Sequence, residues 1–436
     1  SPAELKKDGA YYDLAIALGY LLSAGEIDFD PEKKLFLGEL SLDGTVKSVR
    51  GILPIIQAAK ENNFTEVFVP VDNAVEAALV DGITIYPVKN LTQIIDHLDT
   101  FRNENTLIEV QKYTEIENFT ECYGTDFSDI KGQEIVKRGL EIAAVGGHNV
   151  AMFGPPGTGK TMLARAFAGI LPNLSKDEIL EITGIHSVAG TLDNAEILTQ
   201  APVRSPHHTS SYVAIIGGGS NPKPGEITLA HRGVLFLDEF PEFDKKVLES
   251  LRQPLEDRIV TISRASGTVQ FPASFILLAA MNPCPCGFYG SEKKQCICGA
   301  HDIVRYKKKI SGPIIDRIDI WLPVEHVDYD KLSERNPAEK ISPIIRTRID
   351  AARKFGQERI GKTTLNVEMN SRDIQNEELS DSVRTILNKS AESMSLSPRA
   401  YHRVIKLART IADMESKQHI ETNHVLEALQ YRPQIN

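Results

Sequence analysis

A short apolar stretch near the middle of the 436-residue chain leads into a loop of glycines, prolines, threonines and one lysine. The stretch, Asn149 to Phe153, is typical of a buried strand, and an apolar helical pattern follows the loop. Glycines let backbone N–H groups converge on an anion, and the helix N-terminus adds the positive end of its dipole. The pattern therefore predicts a P-loop for the phosphates of a nucleoside triphosphate. Its residues are Gly154, Pro155, Pro156, Gly157, Thr158, Gly159, Lys160 and Thr161.

A second apolar run, Gly233 to Leu237, predicts a buried strand that is followed at once by Asp238 and Glu239. We expect Lys160 to contact the β- and γ-phosphates, and Thr161 and Asp238 to hold Mg²⁺. Glu239 is placed to accept a proton from the attacking water. A second acid at this position indicates hydrolysis of ATP rather than binding alone.

A third apolar run, residues 275–281, ends in Asn282. Its amide is suited to orienting the attacking water, although asparagine is also an ordinary turn former at the end of a strand. Strand and helix patterns alternate over residues 149–325, which predicts a doubly wound parallel sheet.

The order of P-loop, Asp–Glu strand and Asn-ended strand, followed by a helical C-terminal region, resembles the AAA+ ATPases. Longer segments resemble the magnesium-chelatase-like branch of that class and, within it, the competence protein ComM (YifB-like) family. The resemblance extends over essentially the whole chain. The segments that carry it are 185–190, 205–211, 217–226, 282–287 and 310–319.

This resemblance implies an ATP-driven homohexameric ring in which each subunit completes its neighbour's site. Arg317 matches the arginine finger, and Arg399 matches the sensor of the γ-phosphate on the helical lid. Arg403 is a weaker candidate for the sensor. Each arginine has the alternative of a plain surface or helix ion pair.

The same resemblance implies a DNA translocase or helicase that drives branch migration. Its role would be to promote integration of single-stranded DNA during natural transformation, without regard to sequence. An alternative hypothesis is that the chain has the same ATPase core but is a chelatase-like motor that remodels a partner protein. A third hypothesis is that the chain is an ATP-dependent protease, and whether it holds depends on the residues of the N-terminal region.

The N-terminal region resembles the proteolytic domain of Lon proteases, which uses a serine nucleophile and a lysine base. The resemblance rests on Lys7 to Gly9 and on Leu37 to Gly44. Tyr11 stands where the serine should be and Leu53 where the lysine should be, and neither can perform that chemistry. We expect a domain that is truncated at its N-terminus and has lost peptidase activity.

Four of the five cysteines cluster within fifteen positions as two Cys-x-Cys pairs nine residues apart. Four thiolates can close a tetrahedral zinc site, with His301 as a substitute for one of them. Plain core thiols or a redox pair are the alternatives. Cys122 stands apart and is expected to be a small apolar side chain. The clustered cysteines are Cys284, Cys286, Cys296 and Cys298.

The cysteine cluster lies in an insertion, residues 283–309, that combines basic and aromatic side chains. Such a surface suits the backbone and bases of single-stranded DNA, although a solvated charge run on a structural zinc loop is the plain alternative. The residues concerned are Tyr289, Lys293, Lys294, Arg305, Tyr306, Lys307, Lys308 and Lys309.

Two further stretches are candidates for the lining of a central pore. One is the long segment from Gly184 to Gly225, in which His207 and His208 are either pore contacts or buried hydrogen-bonding histidines. The other is an alternating strand pair over residues 260–269, with Arg264 at its tip as the preferred DNA contact.

Composition limits the remaining possibilities. A net charge of −10 excludes a broadly basic surface, so any contact with nucleic acid must be local. Apolar runs are far shorter than the roughly 20 residues that cross a bilayer, and we expect a cytoplasmic protein. Clustered cysteines likewise favour a reducing compartment.

The predicted organisation has four parts. Residues 1–98 form a small α/β domain, residues 99–125 a linker, residues 126–328 the AAA+ core with its insertion, and residues 329–436 a helical lid. Within the lid, helices are predicted at 378–394, 399–415 and 421–430.

Overall fold

The computed structural model describes residues 10–100, 107–116, 124–192, 197–219, 222–264, 267–291, 294–327 and 340–433. The chain forms two compact units. The first comprises Ser1–Phe119 and Leu174–Gln200, and the second comprises Thr120–Asn173 and Ala201–Asn436.

Helices account for most of the regular structure in the second half of the chain. In chain order, the described α-helices α1 to α18 are Asp13–Ser23, Ile52–Glu61, Ala74–Ala77, Leu91–Leu98, Glu134–Gly146, Lys160–Ile170, Lys176–Ala189, Tyr212–Ile216, Glu226–Leu229, Lys245–Ser250, Arg252–Asp257, Ala300–Lys307, Gly312–Ile315, Ser342–Ile360, Ser371–Gln375, Asp381–Ser393, Pro398–Met414 and Thr422–Gln430. Short 3-10 helices cover Ala10–Tyr12, Val71–Asn73, Phe127–Asp129, Phe240–Glu242 and Asn366–Glu368.

Strands build one parallel sheet in each unit and three small antiparallel pairs. In chain order, the described strands β1 to β14 are Lys34–Phe36, Glu39–Leu40, Val46–Lys47, Glu66–Pro70, Thr84–Val88, Val150–Phe153, Val203–Arg204, Gly217–Gly218, Lys223–Pro224, Val234–Leu237, Ile259–Arg264, Gly267–Pro272, Ile276–Met281 and Ile320–Pro323.

The first unit is built on a three-stranded parallel sheet in the order β1-β4-β5. The apolar run from Leu35 to Leu40 predicts one continuous strand, but the chain is broken there into β1 and β2. Gly38 lies at the break with φ of +151°, and a Cβ there would meet Val46 Cγ1 at 2.4 Å. Glycine therefore permits a turn of the chain that starts the β2–β3 hairpin.

The sequence pattern predicts a helix from Asp72 to Val80 with Asp72 as its cap, and this prediction is wrong in extent. The chain forms a single 3-10 turn, Val71–Asn73, and the four-residue helix α3. Asp72 does not cap it, and the Asn73 amide bonds to the backbone N–H and carbonyl of Val49 at 2.9 and 3.0 Å. This distant partner holds the turn in place and competes with a longer helix.

Helix α7 belongs to the first unit, although the sequence pattern placed it within the AAA+ core. It begins with a capping box between Ser175 and Glu178 and packs on α2, where the Gly51 N–H donates to Ser187 Oγ at 2.9 Å. Part of the predicted linker, residues 107–116, also lies along this unit. There Ile108 is buried, and the Gln111 N–H donates to the Ile85 carbonyl at 2.9 Å.

The second unit contains a five-stranded sheet in the order β14-β6-β13-β10-β7, with every pair parallel. This confirms the predicted α/β fold with a parallel sheet. Strands β6, β10 and β13 consist almost entirely of buried apolar residues, as expected where helices cover both faces. The order places β6 between β14 and β13, so the ends of β6, β13 and β10 lie side by side.

The C-terminal region is helical, as predicted, and the three expected helices correspond to α16, α17 and α18. Helix α17 carries a buried ionic network in which Asp413 accepts from Arg409 at 3.0 Å and from Arg359 at 3.2 Å. Both charged groups of the Arg409–Asp413 pair are fully buried. A buried ion pair of this kind favours one packing of the helices, because a packing that separated the two charges would leave a buried charge without a partner and would be strongly destabilising.

Candidate functional site

The predicted phosphate loop joins the end of β6 to the start of α6. Gly154 packs against the backbone after β14, and a Cβ there would lie 2.0 Å from the Val324 carbonyl oxygen, so only glycine fits. Gly159 caps the helix with φ of +88°. The loop thus directs the N-terminus of an eleven-residue helix at the edge of the sheet, which is the arrangement that binds phosphate.

Lys160 bridges the loop and the neighbouring strand. Its Nζ donates to the carbonyls of Gly154 and Pro155, each at 2.8 Å, and lies 3.3 Å from Asn282 Oδ1. Burial lowers the pKa of Lys160, while the Asp238 carboxylate acts in the opposite direction. Lysine and asparagine, 122 positions apart, are brought together because β6 and β13 are adjacent.

Thr161 and Asp238 also meet at this edge. The Thr161 hydroxyl donates to Asp238 Oδ2 at 3.0 Å, and Asp238 Oδ1 accepts the Glu239 N–H at 2.9 Å. One hydroxyl and one carboxylate beside a phosphate loop are oxygen ligands of the kind that Mg²⁺ takes together with substrate phosphates. The donor set therefore fits a magnesium ion held by Thr161 and Asp238.

Glu239 occupies the turn after β10 with φ of +51°, and 54% of its side chain is exposed. Its carboxylate points to His208, whose Nδ1 lies 3.0 Å from Glu239 Oε2. The sequence patterns indicated no such pair. The pair is explained by the parallel arrangement of β7 and β10, because the residues that follow two adjacent parallel strands lie at the same edge of the sheet. Neither His207 nor His208 is buried, which removes the alternative of buried histidines.

Arg317 lies at the other end of the sheet. The Asn149 amide, just before β6, donates to the Arg317 carbonyl at 3.1 Å, and the Asp319 N–H donates to the Asn149 carbonyl at 2.9 Å. Strand β6 separates this point from Gly154, and four residues of strand span about 13 Å. Arg317 therefore lies far from the phosphate loop of its own chain.

Arg399 lies beside Arg317 and contacts the same carboxylate. Glu256 Oε2 is 2.7 Å from the Arg317 guanidinium, and Glu256 Oε1 is 3.2 Å from that of Arg399. Arg403, the weaker candidate, instead pairs with the fully buried Asp319. The sequence patterns did not single out Glu256, because it occupies an ordinary position on the short helix α11.

The four clustered cysteines converge as the sequence predicts, with all four sulfurs within 4.8 Å of one another. The Cys284 sulfur is 3.4 Å from that of Cys286 and 3.7 Å from that of Cys296. Sulfurs at the corners of a tetrahedron around one zinc lie about 3.8 Å apart, given Zn–S bonds of about 2.3 Å. His301 is exposed and is not part of this group of ligand atoms.

Backbone N–H groups also point at the sulfurs. The Tyr289 N–H donates to Cys284 Sγ at 3.3 Å, and the Cys286 N–H donates to Cys298 Sγ at 3.4 Å. Hydrogen bonds from the backbone of Phe288 and Ile297 lower the pKa of Cys286 to about 6, whereas the pKa values of Cys296 and Cys298 are raised, because backbone hydrogen bonds are outweighed there by desolvation and the neighbouring thiols. Thiolates are the form that ligates metal, and four sulfurs within 4.8 Å of one another fit a zinc ion.

Basic and aromatic side chains lie together on the insertion around the cysteines, which we call the knob (residues 283–309). The ammonium of Lys294 is 4.4 Å from the centre of the Phe288 ring, and Lys307 is 5.8 Å from that of Tyr289. Lys307 and Lys308 are exposed at the end of α12. Lys293 and Cys122 lie outside the described residues.

The two candidate pore stretches are both present. Residues 259–272 form the predicted hairpin of β11 and β12, with Arg264 paired to Gly267. The Arg264 side chain and residues 265–266 are outside the described part. The longer stretch is divided, since residues up to Gln200 belong to the first unit. Its remainder, residues 201–225, carries β7, α8 and the β8–β9 pair.

Comparison with family models is consistent with this geometry. Residues 126–332 match the model described as magnesium chelatase, subunit ChlI. Residues 339–432 match its C-terminal model, and residues 1–73 match the model described as subunit ChlI of Mg-chelatase. The fold and the site define an AAA+ ATPase of the magnesium-chelatase-like class, whose site takes ATP with Mg²⁺.

Similarity to individual proteins extends along the whole chain. It is 40% identical over 437 residues to competence protein ComM of Haemophilus influenzae, covering 100% of this chain and 85% of the relative. It is 37% identical over 437 residues to YifB of Escherichia coli, covering 99% of this chain and 84% of the relative. The chain belongs to the ComM/YifB family.

A shorter similarity concerns Lon protease 2 of Bacillus subtilis. It amounts to 33% identity over 99 residues, which is 22% of this chain and 18% of that protease. Leu53, which the sequence resemblance predicts at the position of the Lon lysine, is fully buried in the core of the first unit. Among the described residues, no helix is both long and apolar enough to span a membrane.

Proposed function

We propose that this chain is an ATP-driven DNA translocase that works as a homohexameric ring and promotes branch migration. The proposal rests on the placement of the site residues at two opposite ends of the sheet. Arg317 lies at one end, and the phosphate-loop lysine and the polar residues after β10 and β13 lie together at the other. These residues are Lys160, Asp238, Glu239 and Asn282. A site that holds phosphate and activates water, while its candidate arginine finger lies at the opposite end of the sheet, needs a neighbouring copy to complete it.

Hydrolysis would use residues of one chain in separate roles. Lys160 and the loop N–H groups bind the phosphates, and Glu239 accepts the proton of the attacking water that Asn282 orients. Mg²⁺, held by Thr161 and Asp238, would neutralise charge on the phosphate oxygens when bound. Arg317 and Arg399 of the adjacent subunit would stabilise charge on the transferred phosphoryl group.

The choice of DNA as the substrate of the motor rests on two features. The knob combines exposed lysines with aromatic rings, which is the chemistry that binds single-stranded nucleic acid. The similar protein from Haemophilus influenzae carries the name of a competence protein. Competence delivers single-stranded DNA to the cell interior, and branch migration would extend its pairing with the chromosome.

Zinc is proposed to hold the knob in shape, and the first unit is proposed to be without peptidase activity. A buried leucine cannot act as a general base. The first unit therefore retains a Lon-like fold and contributes no hydrolysis of peptide bonds. The competing proposal, remodelling of a partner protein, has no comparable need for a basic and aromatic knob.

The test is ATP hydrolysis by the full chain, measured with and without single-stranded DNA. The Lys160→Ala variant serves as the inactive control, and migration of a labelled three-strand junction is followed in parallel. We expect DNA to stimulate hydrolysis and junction migration to require ATP. Hydrolysis without any response to single-stranded or branched DNA would overturn the DNA proposal and favour a protein partner.

A further inference from the structure

The knob contacts the phosphate loop at one glycine. Gly287 is buried, and a Cβ added to it would lie 2.7 Å from Pro156 Cδ and 3.7 Å from Asn282 Cγ. Carbon atoms in van der Waals contact lie about 3.5–4.0 Å apart, so the backbone of Gly287 packs directly on the proline ring and leaves no room for a side chain. The knob therefore touches both the loop that binds phosphate and the candidate residue for orienting the attacking water.

The cysteine cluster sets the position of Gly287. The Gly287 N–H donates to the Cys284 carbonyl at 2.9 Å, and the Tyr289 N–H donates to Cys284 Sγ at 3.3 Å. Cys284 is fully buried and lies only two residues beyond Asn282. Gly287 has φ of +83°, in the left-handed region that glycine adopts without strain. The turn that carries the first sulfurs is thus the turn that packs on the phosphate loop.

A second contact joins the knob to the end of β13. Tyr306 of α12 is buried, which raises its pKa, whereas a hydrogen bond from the Asn282 backbone lowers that pKa. The next residue, Lys307, is exposed, and Lys309 binds Glu242 at 2.6 Å. The lysines that are candidates for DNA contact therefore belong to a helix that is anchored beside the ATP site.

We propose that Gly287 is a positioning residue for the phosphate loop, and that its contact with Pro156 couples the binding of ATP to the binding of a ligand on the knob. The ligand is single-stranded DNA, so the coupling rests on the proposed function. Each ligand orders its own side of the contact, and the second ligand then has less to order and binds more tightly. Linkage requires that ATP and DNA strengthen each other's binding by the same factor.

The test uses two glycines of the knob that share a backbone conformation. Gly287→Ala places a methyl group against Pro156, whereas Gly290→Ala places one where no described atom lies within 4 Å, at the similar φ of +76°. Both variants carry the strain of a left-handed alanine, and only Gly287→Ala disturbs the contact. Pro156→Ala in the Gly287→Ala background removes the ring atoms that the methyl group would meet. Zinc content relative to the natural chain reports whether the knob is intact.

Two dissociation constants are measured for each full-length chain at one salt concentration. One is that of a fluorescent, non-hydrolysable ATP analogue, with and without a single-stranded oligonucleotide. The other is that of the labelled oligonucleotide, with and without the analogue. We expect each ligand to strengthen the binding of the other about fivefold or more, both in the natural chain and in Gly290→Ala.

Gly287→Ala should bind the analogue about tenfold more weakly, because the added methyl group overpacks the contact and displaces the loop. It should also abolish the coupling, and the double variant should regain both properties in part. Equal affinity of Gly287→Ala and Gly290→Ala for the analogue would overturn the proposal, as would coupling that survives in Gly287→Ala. A double variant no better than Gly287→Ala would show that the contact with Pro156 is not the cause.

The two proposals fail in different ways. If the oligonucleotide does not bind the natural chain, the DNA function fails, and the affinities for the ATP analogue still report whether Gly287 positions the phosphate loop. If the oligonucleotide binds without changing the affinity for the analogue, binding of DNA stands and the coupling through Gly287 is refuted.

Discussion

The guanidinium of Arg317 lies 2.7 Å from the Glu256 carboxylate, and its side chain is only 11% exposed. The second oxygen of Glu256 contacts Arg399 from the C-terminal helices. One carboxylate therefore joins the two arginines that a neighbouring ATP site would need. It does so at the end of the sheet that faces away from the phosphate loop of the same chain.

Replacement of Arg317 by alanine should abolish ATP hydrolysis, by about 10³-fold if it acts as an arginine finger. Because the arginine is expected to serve a neighbour, mixing Arg317→Ala with Lys160→Ala subunits should restore part of the activity. Steady-state hydrolysis by the mixture, compared with each variant alone, measures this. Arg372→Ala, at an exposed arginine of the lid, is the control. A mixture as inactive as its parts would refute action between subunits.

Replacement of Glu256 by glutamine should lower the turnover number about tenfold and leave KM for ATP nearly unchanged. The charged carboxylate binds both arginines, and charge-assisted hydrogen bonds are about twice as strong as neutral ones. Their loss frees the arginines without touching the bound nucleotide. Glu249→Gln, which removes the charge that pairs with Arg252, is the matched control. A raised KM with normal turnover would contradict this role.

The double variant Cys296→Ser/Cys298→Ser should lose zinc, from one ion per chain to none, as measured by elemental analysis. Two thiolates alone do not close a tetrahedral zinc site. We expect hydrolysis without DNA to persist and its stimulation by DNA to disappear, because the knob loses its shape. Cys122→Ser should change neither quantity. A zinc-free natural chain, or normal stimulation of the double variant, would count against the metal.

Binding of a single-stranded oligonucleotide should weaken steeply with salt, with a slope of about 0.7 per phosphate neutralised. Fluorescence anisotropy at a series of salt concentrations gives this slope. Lys307→Ala and Lys308→Ala should each reduce it by about 0.7, because each removes one phosphate contact. Lys354→Ala, at an exposed lysine that pairs with Glu358, should leave the slope unchanged. A flat salt response would contradict an electrostatic DNA grip.

Asp126 should make the stability of the second unit sensitive to acid. Burial raises its pKa, but hydrogen bonds from the Ser128 backbone and from Ser342 outweigh burial and lower the pKa to about 2. A carboxylate with a lowered pKa stabilises the fold above its unfolded pKa of about 3.9 and loses that contribution as pH falls towards 2.

Asp126→Asn should therefore reduce the free energy of unfolding by about 2 kcal/mol at neutral pH and by almost nothing near pH 2. Urea unfolding at pH 7 and at pH 2, followed by circular dichroism, gives the two differences. Asp30→Asn, at an exposed aspartate, serves as the control. A difference between variant and natural chain that stays constant with pH would show that the Asp126 charge is not the cause.

The strands of the second unit could be predicted closely because their information is local. Val150–Phe153, Val234–Leu237 and Ile276–Met281 are uniform apolar runs, and each lies within one residue of the predicted bounds. Runs of this type belong to strands that are covered on both faces. The polar residues that follow them, and the spacing of the cysteines, are equally local. These patterns also carried the resemblance to AAA+ ATPases.

The sequence by itself thus determined the phosphate loop, the Asp–Glu and Asn-ended strands, the four-cysteine cluster and the fold class. Only the tertiary structure decided that α7 packs in the first unit, that His208 binds Glu239, and that Arg317 and Arg399 share Glu256. The physical reason is that these contacts depend on strand order and on the path of the chain between strands. Hydrophobic periodicity reports which face of an element is buried, and it does not report which distant element buries it.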